Sequence, residues 1–431
     1  MDLATEFERR IRAPKLPGLT DSLSGEEFIL PHYSGLSIAN LPATLAGLLG
    51  RGLEGAEPPL PGDAWQALGE DVRCLVWVIL DAVGYRSFRR LLDAGDTIWG
   101  RLAQEGTLVP LTSVFPSTTM AAMSSFWTGR APGGHGFLGR KLFLSEFGVL
   151  ADMIRLTLAT RGRPGALLEW GWQPETFLPA PGLVRQLATQ GVETVAHLYA
   201  PHLGSGLARL FLGDVRQVVG FLNASDMWIN VRQTVAQRGE GPLLVNVYWS
   251  GTDDVAHRYG PHDERFQAAL RQVARSFEAD FWAPLPPAAR QGVALIVTAD
   301  HGQVRTPPER AVHLGQHPAL KEMLLLPPAA EPRASYLYIR RGQAEALGAY
   351  VAEHLAEQFL LLDMERVVSA GLFGPTEMPA AFRARLGDAL LLARDDSRLI
   401  AEGATAKGWG EHGSLRAGEM LVPLLMARLD G

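Results

Sequence analysis

Three aspartates and three histidines stand at spacings that suit divalent cations, and no thiol accompanies them. Asp81 ends the run "CLVWVILDAVG", Asp253 and His257 stand four apart in "VNVYWSGTDDVAH", Asp300 and His301 adjoin in "VALIVTADHGQ", and His412 lies in "GWGEHGSLRAGEM". A helical turn puts residues four apart on one face, as a metal pair requires, while Asp254 faces elsewhere. Carboxylate and imidazole without sulfur select borderline-hard ions, zinc above all, and six ligands divide into two sets of three, each with an open position. Two such ions, about 3.5 to 4 Å apart, clamp the attacking and leaving oxygens of an in-line phosphoryl displacement.

Each piece alone has a plainer reading. An Asp after a strand is commonly a turn or cap residue, and Asp253 with His257 also fits a surface ion pair. "DHG" directly after an apolar run is sharper, because Asp and His there are costly to desolvate unless something positive holds them. A nucleophile is on offer in "SVFPSTTMAAMSS", where Ser117, Thr118 and Thr119 follow a proline and precede small and apolar residues. A helix cap and a nucleophile at a helix start use the same residue types, so this stretch by itself leaves all three hydroxyls open.

The elements that must position these groups are apolar runs bounded by turn residues: 74 to 80, 107 to 115, 191 to 199, 243 to 249, 293 to 299, 334 to 340 and 389 to 394. Several are apolar at nearly every position, as strands buried on both faces of a parallel sheet are. Helix-patterned stretches at 263 to 282 and 342 to 359 lie between them, and the alternation predicts a doubly wound α/β domain. In such a sheet ligands bind beyond the carboxyl ends of the strands, where Asp81, Asp253 and Asp300 stand. Residues 1–70, with a helix at 40 to 50 and the connector "GAEPPLPGD", are expected as an extension packed on a domain of residues 71–431. Weaker strand signals and Pro/Gly breaks mark about 140–240 and 302–388 as insertions.

A chain of 431 residues that is 47% hydrophobic and 20% charged can bury a large core. A net charge of -6 gives no basic footprint for a stable nucleic-acid partner, so the expected partner is a small phosphate ester. The single Cys74 excludes an internal disulfide, the N-terminus lacks a signal-like apolar core, and no long uncharged apolar run suits a membrane span. A soluble, cytoplasmic protein is expected; nothing in the sequence speaks to protein partners.

In their order, Asp, Thr, Asp-x-x-x-His, Asp-His-Gly and His-Gly, these motifs resemble the alkaline phosphatase superfamily and, within it, the type I phosphodiesterase/nucleotide pyrophosphatase family. "FPSTTMAAMSSFWTGRAPGGHG" is similar to the family segment in which a Thr precedes a helix ending in Thr-Gly and then a His-Gly turn. "GTDDVAHRYGP", "VTADHG" and "EHGSLRAGEMLVPLL" resemble its later segments, and the likeness spans roughly residues 74 to 425. It implies an alkaline-phosphatase-like α/β fold, with a large, mostly parallel central sheet, helices on both faces and inserted cap segments. It implies one zinc on Asp253, His257 and His412 and a second on Asp81, Asp300 and His301. Counting back ten residues from Gly129, as the family segment runs, implies Thr119 as the nucleophile that forms a covalent phospho-enzyme, with Thr118 beside it as a capping or substrate-binding hydroxyl. At Ala122 the chain departs from relatives that commonly carry an Asn holding a phosphoryl oxygen, which counts against nucleotide pyrophosphatase activity in particular. A phosphomonoesterase, a phosphonate hydrolase and a degenerate ligand-binding relative stand as alternatives.

Other motifs carry less. "GHGFLG" matches G-x-G-x-x-G but follows no strand, so His135 reads as a turn residue. His313 and His317 in "HLGQH" are interrupted by Gly315 and followed by Pro318. Arg140 and Lys141, after the Gly-rich turn, are within reach of a substrate phosphate, and Lys141 is the substrate-binding candidate against the plainer reading of a solvated loop. Arg333 reads as structural.

Overall fold

The computed structural model describes residues 2–19, 22–23, 27–95, 97–160, 162–173, 177–178 and 181–430. Cys74–Leu80 is apolar throughout and wholly buried, as a strand covered on both faces must be. It is the central strand of a seven-stranded sheet, ordered Thr107–Thr112, Leu421–Arg428, Val293–Thr298, Cys74–Leu80, Leu243–Trp249, Glu193–Tyr199 and Gln217–Phe221. Leu421–Arg428 runs antiparallel to both neighbours and the other strands run one way, giving the large, mostly parallel sheet expected.

Different helices cover the two faces. Trp77, in register with Asn246 and through it with Ala196, faces the helix Thr119–Thr128, where Phe126 meets the indole edge-on at 5.1 Å. His197, one residue out of phase, turns to the opposite face and bonds Thr234 of the helix Ala224–Ala236 at 3.1 Å. Trp228 of that helix continues into an aromatic chain through Phe277 and Trp99 to Phe88. The N-terminal residues join the same core: the helix Leu3–Arg12 buries Phe7 and Ile11, and the Tyr33 hydroxyl accepts from the Phe115 amide and donates to the Leu372 carbonyl.

Two expectations need correction. The stretch 140–240 is not one insertion, because Glu193–Tyr199 and Gln217–Phe221 are strands of the central sheet. The runs at 334 to 340 and 389 to 394 do form strands, Ala334–Leu337 and Ala389–Ala393, but in a second sheet whose pairs are all antiparallel. Ala389–Ala393 is buried along its whole length because hydrophobic clusters cover both faces of that sheet, and two-sided burial leaves the same apolar run whichever way the neighbours point. The second sheet is assembled from Lys141–Leu144, Val149–Asp152 and Thr157–Leu158 together with distant strands between residues 329 and 393.

Arg333, fully buried, ties this sheet to the chain's end. Its Nε donates to Glu419 Oε1 at 2.8 Å and its Nη2 to Glu419 Oε2 at 3.0 Å, while Glu419 also accepts from the amides of Ser414 and Arg416. Removing one partner strands a buried charge. Arg333→Met is expected to cost about 3 to 5 kcal/mol, read as a lower urea midpoint at unchanged slope; an unaltered midpoint would contradict the role given to this pair.

Candidate active site

Parallel strands ending on one edge bring their following loops together. Asp81 follows Cys74–Leu80, Asp300 and His301 follow Val293–Thr298, and Asp253 and His257 lie on the helix Gly251–Tyr259 just after Leu243–Trp249. His412 arrives from the C-terminal segment, its ring stacked on that of His301 with centroids 3.9 Å apart, and the His257 ring lies 5.2 Å from His412. The loops meet through glycines: a Cβ on Gly302 would lie 2.1 Å from the Gly418 carbonyl oxygen and 2.9 Å from the Gly84 Cα.

All three histidines are held alike. Nδ1 of His257 lies 3.0 Å from the Gly410 carbonyl, that of His301 2.9 Å from the Gly302 carbonyl, and that of His412 2.9 Å from the Ser117 carbonyl. A carbonyl only accepts, so each Nδ1 carries the proton and each Nε2 presents a lone pair, the arrangement found in metal-ligating histidines. Burial, then the neighbouring His301 and His257, holds His412 far below the usual imidazole range and so neutral. Burial pulls His257 down, but the Asp253 and Glu411 carboxylates together raise it above its ordinary value.

The carboxylates are fixed and yet incomplete. Asp81 accepts from the Tyr248 hydroxyl through Oδ2, and Thr252 donates to its main-chain carbonyl. Asp300 Oδ1 accepts from the Ala82 amide at 3.2 Å and the His301 amide at 2.9 Å. Asp81 Oδ1 and Asp300 Oδ2 are buried and have no hydrogen-bond partner. Burial, then the Asp300 and Asp253 charges, pushes Asp81 well above the carboxylate range, and burial also raises Asp300. Unpaired buried carboxylate oxygens are tolerable where a cation neutralises them, so this donor set fits divalent ions.

The ligand atoms of Asp81, Asp300 and His301 lie within 4.8 Å of one another, the trio expected for one ion. Asp253, His257 and His412 divide differently: Asp253 groups with His301 and His412, and His257 with Glu411 and His412, while Asp253 Oδ2 lies 3.4 Å from His257 Nε2. Glu411 is thus a potential ligand that the sequence reading missed, although it adjoins His412. Gln303, whose amide donates to Asp253 Oδ1 at 2.5 Å, was also missed, as was Tyr248; neither residue type advertises such a part.

The three adjacent hydroxyls separate. Thr119 opens its helix with Oγ1 3.1 Å from His301 Nε2, which itself lies 3.5 Å from Asp81 Oδ1 and 3.4 Å from Asp300 Oδ2. Ser117 is a staple: its hydroxyl donates to the Ser414 carbonyl at 2.7 Å and accepts from the Gly413 amide. Thr118 occupies the N-cap position without a side-chain cap bond, is buried, and turns its hydroxyl to Glu331, whose carboxyl is pushed up to about 7 by burial. Lys141 lies half-buried on a strand of the second sheet, whereas its neighbour Arg140 pairs with Asp152 at 3.0 Å, and its charge reaches His257 and His412. Ala122 is buried in the helix's first turn and has no side-chain donor to offer. His135, bonded to Ser125 at 3.0 Å, is held neutral by burial, and His317 bonds the Tyr350 hydroxyl away from the cluster.

The family model for type I phosphodiesterase/nucleotide pyrophosphatase matches residues 75–415. No curated protein sequence matches the chain. Among solved structures, phosphonoacetate hydrolase from Sinorhizobium meliloti 1021, solved with phosphonoformate, is similar at TM-score 0.60 and 18% identity, covering 83% of this chain and 91% of that one. Murine ectonucleotide pyrophosphatase/phosphodiesterase 5 is similar at TM-score 0.58 and 15% identity, covering 81% and 87%, and an inactive variant of it is solved with AMP. Both share the fold. No helix among the described residues is long and apolar enough to cross a membrane.

Burial favours the neutral form of Asp81 and Asp300, and a cation entering this site favours the ionised one. Zinc binding to the chelated protein is therefore expected to release protons and to weaken as pH falls. Titration calorimetry in two buffers of different ionisation enthalpy measures this; identical heats in both would show that the carboxyls are already ionised.

Proposed function

The chain belongs to the type I phosphodiesterase/nucleotide pyrophosphatase family, a metal-dependent family of phosphoric ester hydrolases, and we propose that it hydrolyses phosphodiesters through Thr119 with two zinc ions per chain. The observation that carries this is the Thr119 hydroxyl, 3.1 Å from the Nε2 of His301, at the point where that nitrogen meets the unpaired oxygens of Asp81 and Asp300. Asp81, Asp300 and His301 would hold one ion, and Asp253, His257 and His412 the other. Bound there, the ions supply Lewis acidity, favouring ionisation of nearby oxygens and offsetting the negative charge that develops on the phosphoryl group.

The chain's own groups do the rest. Thr119 Oγ1, its proton given up to solvent, attacks phosphorus as the bond to the leaving oxygen breaks and that oxygen takes up a proton as alcohol, giving an esterified phosphothreonine; water then attacks phosphorus and breaks the bond to Oγ1, which regains a proton, leaving the monoester. At the helix start the amides ahead of Ala122 would be available to phosphoryl oxygens, since the Ala122 amide is the first to bond within the turn, at 2.9 Å to the Thr118 carbonyl. These amides would then take the place of the Asn that relatives commonly carry at the position of Ala122. Tyr248 and Gln303 keep Asp81 and Asp253 in place. A cytoplasmic location agrees with the single buried cysteine.

Arg140 favours a second reading, a monoester or phosphonate substrate. Its guanidinium is part-exposed and its charge reaches His257 and His412; Nε and Nη2 donate to Asp152, and a dianionic group gains more from the remaining positive charge than a diester monoanion does.

Thr119→Ala is expected to lower kcat by a factor on the order of 10³ or more, with Thr119→Ser keeping a measurable fraction. Turnover of a bis-aryl phosphate tests this, and full activity in the alanine variant would end the nucleophile assignment. Arg140→Ala separates the two readings: a rise in KM on the order of tenfold for a mono-aryl phosphate, with little change for the diester, favours the second.

A further inference from the structure

Beyond Thr119 opens a cavity of about 200 Å³ walled by Met123, Trp127, Ile154, Ala208 and Leu212. Neither lysine nor arginine lines it, and its charged lining groups are the acids Asp81, Asp253 and Asp254. Within this apolar space lies one primary amide. Asn246 is 2% exposed, and its Nδ2 has no hydrogen-bond partner. Register places Asn246 beside Trp77 and Ala196, on the sheet face that the Thr119 helix covers, so its side chain is directed at the cavity.

An unpaired buried amide costs about 1 to 3 kcal/mol, and Asn246 is bracketed by Val245 and Val247 in a strand that is otherwise apolar. Of the buried donors left unpaired, this one lies in the lining of the cavity beyond Thr119. Resting on the phosphoryl-hydrolase reading above, we propose that this cavity receives the organic group of the ester, and that the group is uncharged, about one six-membered ring with a short substituent, and carries an oxygen that accepts from Asn246 Nδ2. The size follows from volume, since a dry cavity of about 150 Å³ holds benzene. The lack of charge follows from the lining: with Asp81 and Asp253 committed to the ions, the wall beyond offers Asp254 and neither lysine nor arginine, so a carboxylate or second phosphate there would be desolvated with no side-chain cation to meet it. A base with its ribose is larger than the space.

The ion-loaded Thr119→Ala protein, which consumes no ligand, tests this by calorimetric binding of methylphosphonate, phenylphosphonate, 4-acetylphenylphosphonate, phosphonoacetate and AMP. Phenylphosphonate is expected to bind on the order of tenfold more tightly than methylphosphonate, the acetyl compound about fivefold more tightly again, and phosphonoacetate and AMP no better than methylphosphonate. Asn246→Leu should abolish the acetyl gain alone. Ala208→Trp, by filling the cavity, should abolish the phenyl gain while methylphosphonate still binds, which also shows that the variant is folded. Equal binding of methyl- and phenylphosphonate, or tightest binding of AMP or phosphonoacetate, overturns the proposal and leaves the phosphoryl site standing. If methylphosphonate does not bind at all, the hydrolase reading fails and this one with it.

Discussion

Asp81 and Asp300 end neighbouring parallel strands, and each leaves one carboxylate oxygen buried without a protein partner. Burial and mutual repulsion raise the cost of ionising both in a poorly screened interior, and the protein groups around them hold the carboxyls in place without removing that cost. Tyr248 and Thr252 come from the next strand and the helix after it, the Ala82 and His301 amides come from the loops themselves, and Ser113 donates to the Asp300 carbonyl at 2.5 Å. A parallel sheet suits this duty because all its carboxyl ends open on one edge, so each acid can be braced from the strand beside it.

What the sheet cannot deliver, the chain's end supplies. His412 reaches the cluster from beyond the second sheet, and its ring is aimed by the Ser117 carbonyl in the turn that leads into Thr119. That turn is pinned to the same segment by Ser117 and Ser414, and the segment is pinned to the second sheet by Glu419 and Arg333. Thr119, His412 and the antiparallel sheet are therefore one mechanical unit, although they lie some hundreds of residues apart in sequence.

The sequence disclosed the acids and imidazoles because buried charge after an apolar strand is costly enough to be conspicuous. It also disclosed the main strands, whose two-sided burial leaves an unbroken apolar run. The groups that brace the site were silent: Tyr248 looks like one more aromatic in a buried strand, Gln303 like a loop amide, Asn246 like an irregularity. Their roles depend on which strand lies alongside, and pairing between distant segments leaves no periodic trace. The second sheet was hidden for the same reason, since Ala389–Ala393 has the composition of a parallel core strand and only its partners reveal otherwise. The place of residues 193 to 221 in the central sheet was obscured by the less regular stretches on either side. Residue type alone left Ser117 and Thr119 alike; the family resemblance pointed to Thr119, and the C-terminal segment occupies the hydroxyl of Ser117.

The contact among Gly84, Gly302 and Gly418 bears on which ion the site prefers. With backbone against backbone and no side chain between, the loops behind Asp81 and Asp300 cannot slide apart or together as a softer, side-chain-filled junction would. The gap between the carboxylates is then a property of the skeleton, and ionic radius becomes a criterion of selection. An ion that needed a wider gap, as calcium does, would have to strain main chain to be accommodated, so stiffness would act beside the hardness of the donors.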